Sequence, residues 1–291
     1  MKIIRFFIIA IFIILSIAVH TQSLSIGAGL SLPTYWGDLN SNRIVKDIQT
    51  NTNIGVNIGA ILNVNDYWSI NGGFVYGKMQ GDDAQSHQAY QIDRNLNFRT
   101  NLFESNLGLM LHPFAWRLAN SSLIISPFAQ LSLGLVHTNP KTEFNGTTVY
   151  LQPLGTEGQG MEGFADRYSL WNFAGGAGGG VNFYIDEQIT VSVYSRLMVT
   201  NTDYLDDVSR SYVNFYELRD GNGLLAAQLS DRTPEVRNLN EPLNRPTGSQ
   251  RGGAAKDMYF ITGISVFYQL KNFDTNIRKV NKNKVICPKF N

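Results

Sequence analysis

Apolar and polar residues alternate with a period of two in eight segments of the chain, at about 24–36, 54–64, 68–76, 100–111, 123–136, 171–185, 189–199 and 258–270. In the first, Leu24, Ile26, Ala28, Leu30 and Leu32 share one face, and Ser25, Gly27, Gly29 and Ser31 the other. The second sets Ile54, Val56, Ile58, Ala60 and Leu62 against Gly55, Asn57, Gly59 and Asn63. A period of two is the signature of a strand. Asn65-Asp66 and Asp186-Glu187 mark tight turns between neighbouring strands.

Connections after the first, third, fifth and seventh segments are long, and those after the second, fourth and sixth are shorter. This pattern predicts an all-β fold, an eight-stranded antiparallel transmembrane β-barrel with long extracellular loops and short periplasmic turns. A soluble sandwich shares the one-apolar-face pattern. Against it, the apolar face keeps its width in all eight segments, carries Trp and Tyr at its ends, and opposes small or polar residues rather than a second apolar core. Phe114 and Trp116, in the connection after the fourth segment, suit a membrane interface.

The N-terminus adds a targeting signal. Lys2 and Arg5 precede an apolar run from Phe6 to Val19, followed by polar residues. That order reads as a signal peptide over 1–21, cleaved before Gln22 or after Ala18; the run is short for a spanning helix. Residues 22–270 then form an outer-membrane barrel and 271–291 a basic periplasmic tail. Abundant Gly (27), Phe (17) and Tyr (13) fit a barrel apolar outside and small or polar inside. A net charge of +1 argues against nucleic acid as a partner. With one cysteine, Cys287, no internal disulfide can form.

Candidate chemistry is sparse. Glu104 and Arg196 are opposite charges on inward faces, and the expected arrangement is a structural salt bridge in the lumen, since a buried charge needs a partner. After signal removal His87, His112 and His137 remain, without metal spacing or a nucleophile motif, so neither a catalytic residue nor a cofactor or metal site is assigned. Asp203, Asp206 and Asp207 offer oxygens to Ca²⁺, but at no known spacing, and turn-making carboxylates explain them better. The run from Gly175 to Gly180 lacks the Lys and helix of a phosphate loop and reads as small residues filling a tight lumen.

The loops are more distinctive than the strands. The segments starting Arg94-Asn95-Leu96-Asn97, Asn139-Pro140-Lys141, Leu151-Gln152-Pro153-Leu154, Thr202-Asp203-Tyr204-Leu205, Leu229-Ser230-Asp231-Arg232 and Arg251-Gly252-Gly253 occur in that order. As an ordered set they resemble the outer-membrane barrel family that includes PorG of the type IX secretion system. The alternation of connection lengths sets the termini in the periplasm, and the resemblance implies a non-enzymatic accessory or anchoring barrel in the outer membrane that contacts the periplasmic ring of the PorK lipoprotein and PorN. Outer-membrane lipid is the other expected partner. The alternative roles are a small-molecule channel and a lipid-modifying enzyme. The tail fits a periplasmic contact on its own terms: Lys279, Lys282 and Lys284 lie in a run with Asp274 as its only acidic residue, and Cys287 is available for an intermolecular disulfide to the ring.

Overall fold

A computed structural model describes residues 23–40, 47, 50–117, 123–253 and 255–270. The readings of 1–21 as a signal peptide and of 271–291 as a basic tail, including Lys279, Lys282, Lys284 and Cys287, lie outside the described residues.

Eight long strands form the wall: β1 (Ser23–Trp36), β2 (Gly55–Asn63), β3 (Trp68–Asp82), β4 (Asn97–Leu111), β6 (Ile124–His137), β9 (Trp171–Tyr184), β10 (Ile189–Thr200) and β11 (Met258–Gln269). Three short strands, β5 (Trp116–Arg117), β7 (Lys141–Phe144) and β8 (Thr147–Tyr150), join its margins. Each long strand pairs antiparallel with the next. The last returns to the first, in register from Ser25↔Gln269 to Trp36↔Met258. The sheet is therefore a closed eight-stranded antiparallel barrel without a free edge, which lets the wall satisfy its backbone hydrogen bonds internally.

Side-chain chemistry decides the short turns. Asn65 Oδ1 accepts from the N–H groups of Tyr67 and Trp68 at 2.9 Å, turning β2 into β3. Asp186 Oδ1 does the same for Gln188 and Ile189 at 2.7 Å between β9 and β10. Both are Asx turns, in which a carboxylate or amide replaces a backbone acceptor.

The barrel is apolar outside. Leu133 is 71% exposed and Phe173 70%, and Leu30, Ile58, Leu107 and Val266 are exposed at the same belt. The alternate positions Ser31, Asn57, Glu104, Ser126, Gln130, Asn182, Ser192, Arg196 and Ser265 are buried. A water-soluble protein inverts this arrangement; a barrel solvated by lipid requires it. Among the described residues no helix is long and apolar enough to cross a membrane.

The long connections are structured. Between β3 and β4 a 3₁₀ turn, Asp83–Gln85, precedes the helix Ala89–Arg94. The β6–β9 connection contains the β7–β8 hairpin, whose Lys141 pairs with Arg99 and so extends the wall at β4. The β10–β11 connection folds into the helices Phe215–Asn222, Leu224–Ser230 and Thr233–Arg237. Asn214 caps the first of these by accepting from the N–H groups of Tyr216 and Glu217. Val213, Leu218, Ala226 and Ala227 form a small core within this loop, apart from the larger core beneath it.

Candidate functional site

Two constructions occupy the axis of the barrel: a polar plug in the lumen and a cap of loops above it. In the plug, Glu104 on β4 and Arg196 on β10 form an ion pair, Nη2 to Oε1 2.5 Å, with both side chains at most 3% exposed. Tyr259 on β11 donates its hydroxyl to the other oxygen, Glu104 Oε2, at 2.7 Å. The carboxylate thus has both oxygens engaged, which a buried charge requires. Opposite Arg196, β9 carries Gly178, where a Cβ would lie 2.6 Å from Arg196 Cβ, so the glycine run makes room for the plug. Below, a cavity of about 60 Å³ is lined by Asn57, Asn71, Asn106, Gln130, Ser192 and Arg196. It holds a few waters at most.

Near the short-turn end a hydrogen-bond chain links the neighbouring strands β1, β2, β3 and the end of β4. Asn63 donates to Ser23 Oγ at 2.8 Å, Ser69 donates to Asn63 Oδ1 at 2.7 Å, and His112 Nε2 lies 3.1 Å from Ser69 Oγ. This Ser–His contact is not legible in the sequence, because the residues are 43 positions apart. The Ser69 hydroxyl donates to Asn63 Oδ1, and the Ser69 side chain is buried at 1% exposure.

The cap draws on all four long connections. Arg94 grips Asp83 with two hydrogen bonds, 2.7 and 2.9 Å, and donates to the carbonyls of Asp38 and Arg251. Arg251 donates to Glu157 at 2.9 Å, to the Asp207 carbonyl at 2.7 Å and to the Ser230 carbonyl at 3.1 Å. Asp207 accepts from Thr156 and Tyr168, at 2.6 and 2.7 Å. Beneath them Tyr35, at the top of β1, donates to Asp206 at 2.5 Å and approaches Asp257 at 3.3 Å. Asp38 accepts from the Gly253 N–H at 2.9 Å, and Asp257 from that of Leu205 at 2.8 Å. Leu39, Leu96, Phe98, Leu151, Leu205, Val208 and Leu229 pack between these polar ties and the barrel mouth.

Burial raises the carboxyl pKa values in the cap. Asp207 is pushed up to about 6 by burial, against the pull of Arg251, Thr156 and Tyr168. Asp38 also rises to about 6, from burial, partly countered by the Gly253 N–H and Arg94. Burial raises Asp206 and Asp257 well above the ordinary carboxylate range, with Asp257 and Asp38 repelling Asp206, and Asp203 and Asp38 repelling Asp257. The three aspartates considered for Ca²⁺ are used otherwise: Asp203 accepts from Ser209, Asp206 from Tyr35 and the Val208 N–H, and Asp207 from Thr156 and Tyr168. Among the described residues no group of three or more His, Cys, Asp or Glu side chains is placed to hold a metal ion.

Closed wall, lipid-facing apolar belt, filled lumen and capped mouth define a small transmembrane β-barrel. The chain matches, over residues 4–150, the family model described as "Domain of unknown function (DUF6089)", and belongs to that family. No curated protein matches it. Solved structures with similarity include the Neisserial surface protein A, 8% identical with a TM-score of 0.40 over 86% of this chain and 100% of that one. Ail of Yersinia pestis is 8% identical with a TM-score of 0.36, over 86% and 99%. The outer membrane protein AlkL is 9% identical with a TM-score of 0.34, over 87% and 92%.

Proposed function

We propose that this chain is a non-enzymatic barrel of the bacterial outer membrane that serves as an accessory or anchoring component of the type IX protein secretion machinery. In this reading the long loops face out of the cell, the termini face the periplasm, and the contact is with the periplasmic ring of PorK and PorN. The observation that carries it is where the resembling loop motifs fall. Arg94, Glu157, the run from Thr202 to Ser209, Asp231 and Arg251 are the ties of the cap: Arg94 and Arg251 pin the loops together, and Asp231 holds Arg245 at 2.5 Å. The motifs therefore mark a cap built to stay closed over a filled lumen, which suits an anchor better than a conduit.

Affinity purification of the tagged full chain from outer membranes tests the reading. PorK and PorN are expected to co-purify, and to be lost when residues 271–291 are removed. Recovery of the intact chain without either ring protein would overturn the assignment. Non-reducing gels address Cys287 separately: a shifted band that disappears in Cys287→Ser is the expected result for a disulfide to the ring.

A further inference from the structure

Around the loop-side edge of the apolar belt, one row of outward residues is aromatic. Tyr76, Phe103, His137 and Trp171 are successive cross-strand partners on β3, β4, β6 and β9. Phe103 stacks on Phe74 at 5.9 Å and meets Trp171 edge-on at 6.2 Å, while His137 lies 4.8 Å from Trp171. Such a row marks the level where hydrocarbon gives way to headgroups.

Directly beyond it, on the same outward face, the chemistry turns cationic. Lys78 is two residues past Tyr76, and Arg99 four residues past Phe103, which is roughly 7 and 14 Å along the strands at about 3.4 Å per residue. Lys141 on β7 is the direct cross-strand partner of Arg99. Like charges opposed in this way repel, at a cost to the sheet. One carboxylate stands among them, Glu143, which pairs with Arg99; that pair is exposed, 54% and 60%. Lys141 instead sits 5.8 Å from the centre of the Tyr150 ring, and Lys78 makes no ion pair among the described residues. The three cations and Glu143 line one cavity of about 160 Å³, with Gln80 and Asn101 adding amides.

We propose that this cavity binds the phosphate group of a lipid anchored in the leaflet at the loop-side rim. A phosphate there would relieve the Arg99–Lys141 opposition, accept from guanidinium, ammonium and amide donors together, and leave its acyl chains on the apolar belt below. The inference rests on the barrel spanning the membrane and is independent of any secretion partner.

The full chain, folded into nanodiscs of zwitterionic phosphatidylcholine doped with bis-phosphorylated lipid A, tests it. Both leaflets carry the probe, so the outcome does not depend on loop orientation in the cell or on PorK and PorN. Native mass spectrometry reads the lipid retained. Wild-type protein is expected to hold lipid A, and the Lys78→Gln, Arg99→Gln, Lys141→Gln triple variant to hold at least about tenfold less. Glu143→Gln, which removes the competing carboxylate, should hold more. Gel heat-modifiability verifies that each variant folds; should the triple variant not fold, Lys78→Gln and Glu143→Gln must shift retention in opposite directions. Equal retention by the cation variants, equal retention of dephosphorylated lipid A by wild type, or full displacement by inorganic phosphate would each overturn the proposal.

Discussion

Glu104 shows how much rests on a single buried charge. Its oxygens are divided between Arg196 and Tyr259, and Arg196 is 3% exposed. Glu104→Leu strands the guanidinium in the lumen and is expected to cost about 3–5 kcal/mol, whereas adding Arg196→Leu recovers most of that loss. Urea unfolding of barrels folded into vesicles measures both; a double variant no more stable than the single one would contradict the plug described above. The glycines beside it give a second contrast. A Cβ at Gly178 would lie 2.3 Å from the Ser195 carbonyl oxygen, while at Gly175 the nearest atom is Leu133 Cδ2 at 3.7 Å. Gly178→Ala is therefore expected to lose about 1–3 kcal/mol to overpacking, and Gly175→Ala little, in the same unfolding experiment. The charge pair and the tight lumen were both legible from the alternation, because inward parity alone put Glu104, Arg196 and Gly178 on one surface. The Tyr259 hydroxyl was not, since parity says nothing about how far along the axis each side chain reaches.

The loop elements were harder to read, for physical reasons that differ from one to the next. The β7–β8 hairpin carries a local signal, Asn145-Gly146, with both residues at positive φ, 49° and 74°, as a tight hairpin turn demands. It was hidden because the flanking strands are four residues each, with one core-facing apolar residue apiece, Phe144 and Val149, too few for an alternation to register. The helices of the β10–β11 connection are five to eight residues long, too short for a period of 3.6 to emerge. A small apolar core of Val213, Leu218, Ala226 and Ala227 packs the first two of them, and the buried carboxylates of the ionic cap make the docked loops sensitive to pH. Asp38 and Asp207 have folded pKa values of about 6, above their ordinary 3.8. The docked cap therefore binds more protons than the undocked loops between those values, so its stability is highest below about pH 4 and declines as pH rises through 6. For buried Asp207 the full effect is worth about 3 kcal/mol. Limited proteolysis of the folded barrel should cut the loops faster at pH 7.5 than at pH 5, with a pH-insensitive protease rate on an unstructured control peptide. Arg251→Met is expected to release the cap at either pH while the heat-modifiable barrel persists, because Arg251 touches loop groups and not the wall.

Closure of the molecule follows from arithmetic visible in the sequence: an even number of strands, alternating connection lengths and one apolar face per strand leave a sheet that must either meet itself or expose an edge in lipid. The pairing of β11 with β1 along twelve residue pairs is that meeting. What the alternation could not supply is the way the mouth is blocked, since Tyr35, Asp206 and Asp257 come from positions 171 and 222 residues apart along the chain. The two blocks are independent, and conductance separates them. In planar bilayers the wild-type barrel is expected to show no channel steps. Loosening the cap with Arg94→Met and Arg251→Met should leave the baseline unchanged, because Glu104, Arg196 and Tyr259 still close the lumen beneath it. Only when Glu104→Ala, Arg196→Ala and Tyr259→Ala are added should ion flow begin, through the space joined to the cavity of about 60 Å³ below. Channel steps from the cap variant alone would mean that the loops, and not the lumen, hold the barrel shut, and would move the molecule from anchor towards gated pore.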